Sequence, residues 1–236
     1  MGFVVRAVLI LCVLVITAPL PAENFSDNFD FYTPGDDLES SPFWSKPDSC
    51  GNLVVTDTGG NMVVETVWNG YQFLAYACLG SGVVTDCILE ADVNYTGLET
   101  SCGLLARVND TTGEGYIGYI YSALPDIGVT FIAYVDGNGN YTTLDSDYYY
   151  PFNAGDWYTL SFQVIGIDPV ELTVSVNGTE STSVQDSVYN LSAGLTGIGS
   201  SCSGSSSVFS VDNYSVIDNA SDLAAVTFGE IKTLFR

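Results

Sequence analysis

The sequence contains no histidine, and beyond its first 22 residues it holds only four cations, Lys46, Arg107, Lys232 and Arg236. Without an imidazole there is no Ser–His or Cys–His nucleophile pair, and no zinc site that a histidine completes. With so few cations almost nothing can neutralise phosphates, which disfavours nucleic acid, anionic membrane and polyanionic glycans as partners. There is no CxxC pair, no Gly-rich phosphate loop between a strand and a helix, and no amphipathic helix before the last residues.

What is present begins with a processing signal. Met1 to Arg6 is positively charged, Ala7 to Ala18 is an apolar run too short to span a bilayer, and the stretch to Ala22 ends in small residues. Residues 1–22 therefore read as a signal peptide cleaved after Ala22, with no membrane insertion afterwards. The chain is expected outside the cell, in a periplasm or at a cell surface. Residues 23–217 read as one domain, and 218–236 as a linker and short tail. Losing Arg6 leaves four cations against 28 acidic residues, a formal charge of −24. Neutral sugars, cations and basic partners remain compatible with that charge.

From residue 24 onward the pattern is short β-rich runs broken by Gly, Asn and Asp. Candidate strands cover 28–32, 52–56, 61–67, 72–77, 83–95, 103–109, 115–122, 128–136, 140–144, 157–166, 171–176, 180–184, 194–199 and 208–217. So many short strands indicate an all-β, two-sheet sandwich or barrel. Alternation puts Leu89, Ala91, Val93 and Tyr95 in the core and Glu90, Asp92 and Asn94 on the other face. By the same rule Leu104, Ala106 and Val108 point inward and Arg107 outward. After Ile217, Thr227 and Glu230 have the spacing of a capping box ahead of Ile231, Leu234 and Phe235, which predicts a short helix.

The order of several segments resembles a known family. Phe25-Ser26-Asp27-Asn28-Phe29-Asp30, Cys102 to Arg107 followed by Gly115-Tyr116-Ile117, Asp156-Trp157-Tyr158, Val176-Asn177-Gly178 and Val208 to Tyr214 are similar to bacterial laminin G-like domains. These domains belong to the concanavalin A-like lectin and glucanase superfamily. The resemblance implies an antiparallel jelly roll with a concave face where relatives bind or cleave glycans; it does not imply an activity. In that fold the strands beside Cys102 and Cys202 are expected neighbours, so these two form the expected disulfide among the five cysteines left after cleavage. Relatives tie first and last strands through calcium, which would place Asp27, Asp30 and Asp212 around one structural ion.

Two further groups carry chemistry. Glu90 and Asp92 share a strand face, as paired carboxylates do in glycoside hydrolysis. A laminarinase-like motif needs a further Glu, but Asn94 or Tyr95 stands there. Arg107 is the expected ion partner of Glu90 or Asp92. Sugar stacking calls for flat aromatic faces, and Trp68, Tyr71 and the run Tyr148-Tyr149-Tyr150, with Tyr149 at its centre, are the candidates. Tyr119 and Tyr121 lie on one side of a strand and read as packing, and Trp157 reads as core or edge packing.

The expected function is a non-catalytic module binding a neutral glycan or a cell-surface protein through the concave face, using Glu90, Asp92, Asn94, Arg107, Trp68, Tyr71 and Tyr149. One alternative is a glycoside hydrolase in which Glu90 or Asp92 works with Asp145 or Asp147. The other is a structural cell-surface domain held by calcium and disulfides.

Overall fold

The computed structural model describes residues 24–46, 52–67, 74–78, 82–109, 111–138, 140–202 and 207–218. Two antiparallel sheets face one another. The eight-stranded sheet runs β13 (Thr179–Asp186), β12 (Val170–Val176), β11 (Tyr158–Ile165), β6 (Cys87–Thr96), β15 (Val208–Asp218), β4 (Met62–Val67) and β3 (Asn52–Asp57). Its eighth strand, β1 (Phe25–Asp27), pairs with the later half of β15, Phe25 opposite Val216. The seven-stranded sheet runs β10 (Tyr141–Phe152), β9 (Asp126–Val135), β8 (Gly115–Leu124), β7 (Thr100–Val108), β14 (Leu195–Cys202), β5 (Leu74–Cys78) and β2 (Trp44–Ser45). This is the expected all-β jelly-roll sandwich.

Sequence alternation builds the core directly. In β11 and β12 every second residue is buried, so Leu160, Phe162, Leu172 and Val174 pack inward while Ser161, Gln163 and Thr173 meet water. The β12–β13 hairpin turns at Asn177 and Gly178, whose φ values of 51° and 73° suit a primed turn. Inward residues of both sheets, among them Leu89, Val93, Leu104, Ile120, Ile132 and Ile198, form one core.

Two local expectations fail for identifiable reasons. Residues 28–32 form a turn, since Phe29 has a φ of 59° and its carbonyl accepts from the Tyr32 amide at 3.2 Å. Val108 leaves the main core because Arg107, at φ 54°, makes a bulge that reverses the parity of β7. Of the two readings of Trp157, its 45 % exposure excludes the core. The expected signal peptide and tail helix lie outside the described residues. Among the described residues no helix is long and apolar enough to cross a membrane.

Candidate functional site

The carboxylates chosen from sequence lie on the outward face of the eight-stranded sheet. Asp92 accepts from Thr159 Oγ1 at 2.8 Å through Oδ1, and from Asn213 Nδ2 at 2.9 Å through Oδ2. Asn94 is nearly buried, and its amide donates to the Asp156 carbonyl at 3.0 Å. Glu90 lies opposite Ser161 and Ser215. Asp145 and Asp147 sit on β10 of the other sheet, where Asp145 accepts from Thr182 at 2.7 Å and the Asp147 carbonyl accepts from Thr130 at 3.2 Å. Glu90 and Asp92 point away from that sheet, so the pairing of either with Asp145 or Asp147 is not assembled.

Arg107 faces inward at the end of the sandwich, which corrects the expected ion pair with Glu90 or Asp92. Its guanidinium donates to the carbonyls of Thr85 at 2.9 Å, Gly166 at 2.7 Å and Leu191, and pairs with Asp86 at 3.3 Å. It is fully buried and ties three loops together, so a surface ligand has no access to it. Next to it, Tyr116 donates to Asp186 at 2.5 Å and accepts from the Leu191 amide at 3.2 Å.

The expected calcium ligands do not converge. Asp27 Oδ2 accepts from Tyr32 Oη at 2.7 Å and Trp44 Nε1 at 2.9 Å, while Oδ1 accepts from the Phe29 amide at 2.9 Å. Asp30 accepts from Asn28 at 2.7 Å at the surface. Asp212 accepts from Asn61 Nδ2 at 2.8 Å. A carboxylate already receiving N–H and O–H donors is a poor calcium ligand. No group of three or more His, Cys, Asp or Glu able to hold a metal occurs among the described residues. The trio does not fit the ion, and β1 and β15 are joined directly by their ladder.

The Cys102–Cys202 bridge is also corrected. Their strands are neighbours as expected, but Ser200 lies opposite Cys102 and Thr100 opposite Cys202. The register therefore offsets the two positions diagonally instead of setting them opposite each other. Cys102 is a free, buried thiol, as is Cys87, and burial pushes the thiols of both up, that of Cys87 to about 12.

Trp68 and Tyr71 lie outside the described residues. Tyr149 turns inward and meets Phe152 and Tyr158 edge-on, with centroids 6.3 and 6.1 Å away. Its neighbour Tyr148 faces out, opposite Val129.

The outward face of the seven-stranded sheet is different in kind. Leu105, Val108, Ile117, Ala133, Val135 and Leu195 form a second buried cluster there, with Tyr119 packed against it. Tyr119 and Phe131, opposite each other on β8 and β9, stack at 4.9 Å with 12° between their planes. Tyr141 meets Tyr119 edge-on at 6.4 Å. Gly103 makes this possible, because a Cβ there would lie 2.5 Å from Tyr119 Cβ and 2.8 Å from the Gly118 carbonyl. Burial, then the neighbouring Tyr141 and Tyr121, push the Tyr119 phenol well above its ordinary value. Tyr121 is raised by burial, then by Glu99 and Tyr141. Three tyrosines and a phenylalanine thus share this face, with Glu99 felt by Tyr121 alone. One signal in the sequence marks this face: 115–122 and 126–135 carry apolar or aromatic residues at both parities, as strands apolar on both faces do.

No family model matches the sequence, and no curated protein matches it. Solved structures do share its architecture. The carbohydrate-binding module CBM66 from Bacillus subtilis is similar with a TM-score of 0.54 and 15% identity, over 73% of this chain and 93% of that one. A Bacillus licheniformis β-glucanase gives 0.56 at 12% identity, over 85% of this chain and 100% of the other. LamA from Z. galactanivorans, in complex with laminaritriose and laminaritetraose, gives 0.52 at 13% identity, over 81% and 97%. At such identities the likeness establishes the architecture, a concanavalin A-like jelly roll.

Proposed function

We propose that this chain is a secreted module that binds a neutral glycan on the aromatic face of its seven-stranded sheet. The observation that carries the reading is the Tyr119–Phe131 stack with Tyr141 edge-on beside it. Aromatic rings offer apolar faces to the C–H surface of a sugar, and the phenols of Tyr121, Tyr141 and Tyr148 supply donors and acceptors for its hydroxyls. A formal charge of −24 after loss of the leader repels uronic acids and sulfated chains. The names of the similar structures, a carbohydrate-binding module, a β-glucanase and a protein holding laminari-oligosaccharides, point to the same ligand class. Within that superfamily we read the chain as laminin G-like, on the order of its segments.

A binding role is favoured over hydrolysis because both Asp92 oxygens already accept hydrogen bonds, and Asn94 or Tyr95 stands where the laminarinase-type motif has Glu. A glycan array combined with reducing-sugar release from β-glucans tests this. Binding to neutral glycans without release supports the reading. Release that disappears in Glu90→Gln makes the chain a hydrolase, and an array with no neutral glycan bound removes the proposal.

A further inference from the structure

The first described residues form a second feature that the glycan reading does not use. Phe25, Asp27, Phe31, Tyr32, Asp36 and Phe43 line a cleft of about 480 Å³. Phe31 is 96 % exposed and Phe43 is 49 % exposed. The exposure of Phe31 is fixed by its neighbours. Phe29 is fully buried against Trp44, with centroids 6.2 Å apart, and the Tyr32 hydroxyl binds Asp27 and Ser41 at 2.7 and 3.0 Å. An anchored turn therefore holds a bare phenyl ring over the cleft, and hydrophobic hydration makes that costly unless something covers it. Asp30, Asp36, Asp37 and Glu39 make the surroundings acidic.

We infer that the occupant is the chain's own segment 219–236, docking within the same molecule through Ile231, Leu234 and Phe235. Three observations carry this. The first is the route. Phe25, one wall of the cleft, pairs with Val216, and β15 ends two residues later at Asp218. The last described stretch of the sheet thus lies beside the cleft, and the 18 residues that follow are long enough to reach it at about 1.5 Å per residue even if helical. The second is charge. Arg107 is buried against Asp86, and Lys46 lies 3.8 Å from Glu39. Lys232 and Arg236 are the other two cations beyond the leader, both in this segment, and the rim is acidic. The third is pattern. Ile231, Leu234 and Phe235 fall at i, i+3 and i+4, one face of a short helix, with the capping-box pair Thr227 and Glu230 just ahead. Such a helix is marginal alone, so docking would stabilise it, and the tether supplies a high effective concentration.

Zero-length carbodiimide cross-linking of the full secreted chain tests the inference, because Lys46 and Lys232 are its only lysines. The expected product joins Lys232 to a carboxylate among residues 27–39 within one monomer, while Lys46 joined to Glu39 serves as internal control. Phe31→Ser with Phe43→Ser should lower the Lys232 product by about tenfold and leave the control product unchanged. Should the double variant fail to fold, Phe31→Ser alone tests the same contact, since that ring is almost wholly exposed. Three outcomes overturn the inference. Lys232 gives no product with residues 27–39, the product appears only between two chains, or the yield ignores the phenylalanine substitutions. None of these bears on glycan binding, which the array reads separately.

Discussion

Tyr119 and Phe131 stand opposite each other on neighbouring strands and stack at 4.9 Å, on the side of the sheet that faces away from the main core. Aromatic side chains on an outer face are costly to hydrate unless they are covered or used. The opposite sheet shows the ordinary solution, an outward face of Ser, Thr, Gln, Asp and Glu. The asymmetry between these two faces is the basis of the functional reading.

Gly103 links the backbone to that reading. A methyl group there would meet Tyr119 Cβ at 2.5 Å and the Gly118 carbonyl at 2.8 Å, and the carbonyl cannot easily move. Gly103→Ala should therefore cost about 1–3 kcal/mol of stability and displace Tyr119. Urea unfolding reads the first effect. The second should weaken glycan binding in the fraction that remains folded; unchanged stability would mean that the strand pair tolerates a Cβ.

Arg107 is predicted to be a structural tie. Arg107→Met leaves Asp86 and the carbonyls of Thr85, Gly166 and Leu191 without their shared donor. Breaking a buried pair this way costs about 3–5 kcal/mol, and lysine cannot reproduce the fork geometry. Denaturant midpoints should fall strongly for Arg107→Met and substantially for Arg107→Lys.

Asp27 is predicted to act through aromatic donors, without a metal. Asp27→Ala leaves Trp44 Nε1 without its acceptor and Tyr32 Oη with Ser41 alone, and should destabilise by about 1–3 kcal/mol. A chelator should leave the melting temperature of the unmodified protein unchanged. A drop on chelation that Asp27→Ala abolishes would restore the calcium role.

Stability should fall in acid partly through Asp186. Burial raises its carboxyl pKa, but hydrogen bonds from Tyr116 and from the amides of Val188, Asn190 and Tyr189 outweigh this and hold it below the ordinary 3.8. A group lowered by folding contributes stability that is present above its unfolded value and lost as pH falls through the folded one. The loss belongs below about pH 4. Asp186→Asn should lower stability at neutral pH and flatten its decline between about pH 4 and 2, measured as urea midpoints against pH.

How much was legible in the sequence follows from where parity could be trusted. The β6 alternation predicts its burial correctly from Leu89 to Val93, because one face of an eight-stranded sheet meets water, and fails at Asn94, which is buried while its amide donates to the Asp156 carbonyl. Parity fails at β7, where a single left-handed residue, Arg107, turns itself inward and Val108 outward. No local pattern announces such a bulge. Tyr149 was chosen from a run of three, yet its neighbours Tyr148 and Tyr150 are the exposed ones, since alternation gives the middle residue to the core. Glu90 and Asp92 stand out in sequence because paired carboxylates two residues apart share one strand face, whereas the aromatic face is built from β8, β9 and β10 together. Tyr119, Phe131 and Tyr141 lie on three consecutive strands, and the register of β8, β9 and β10 brings them into one cluster.

The most direct test sets two surface substitutions against each other in one titration. Tyr141 is 59 % exposed and Tyr148 is 76 % exposed, so removing either ring should cost little stability. With a neutral oligosaccharide selected from the array, Tyr141→Ala and Tyr148→Ala should each weaken binding by about 1–2 kcal/mol, roughly five- to thirtyfold. Glu90→Gln, on the other sheet, should leave affinity unchanged. Full affinity in both tyrosine variants, with loss in Glu90→Gln, would contradict the aromatic face and return the site to the carboxylates of β6.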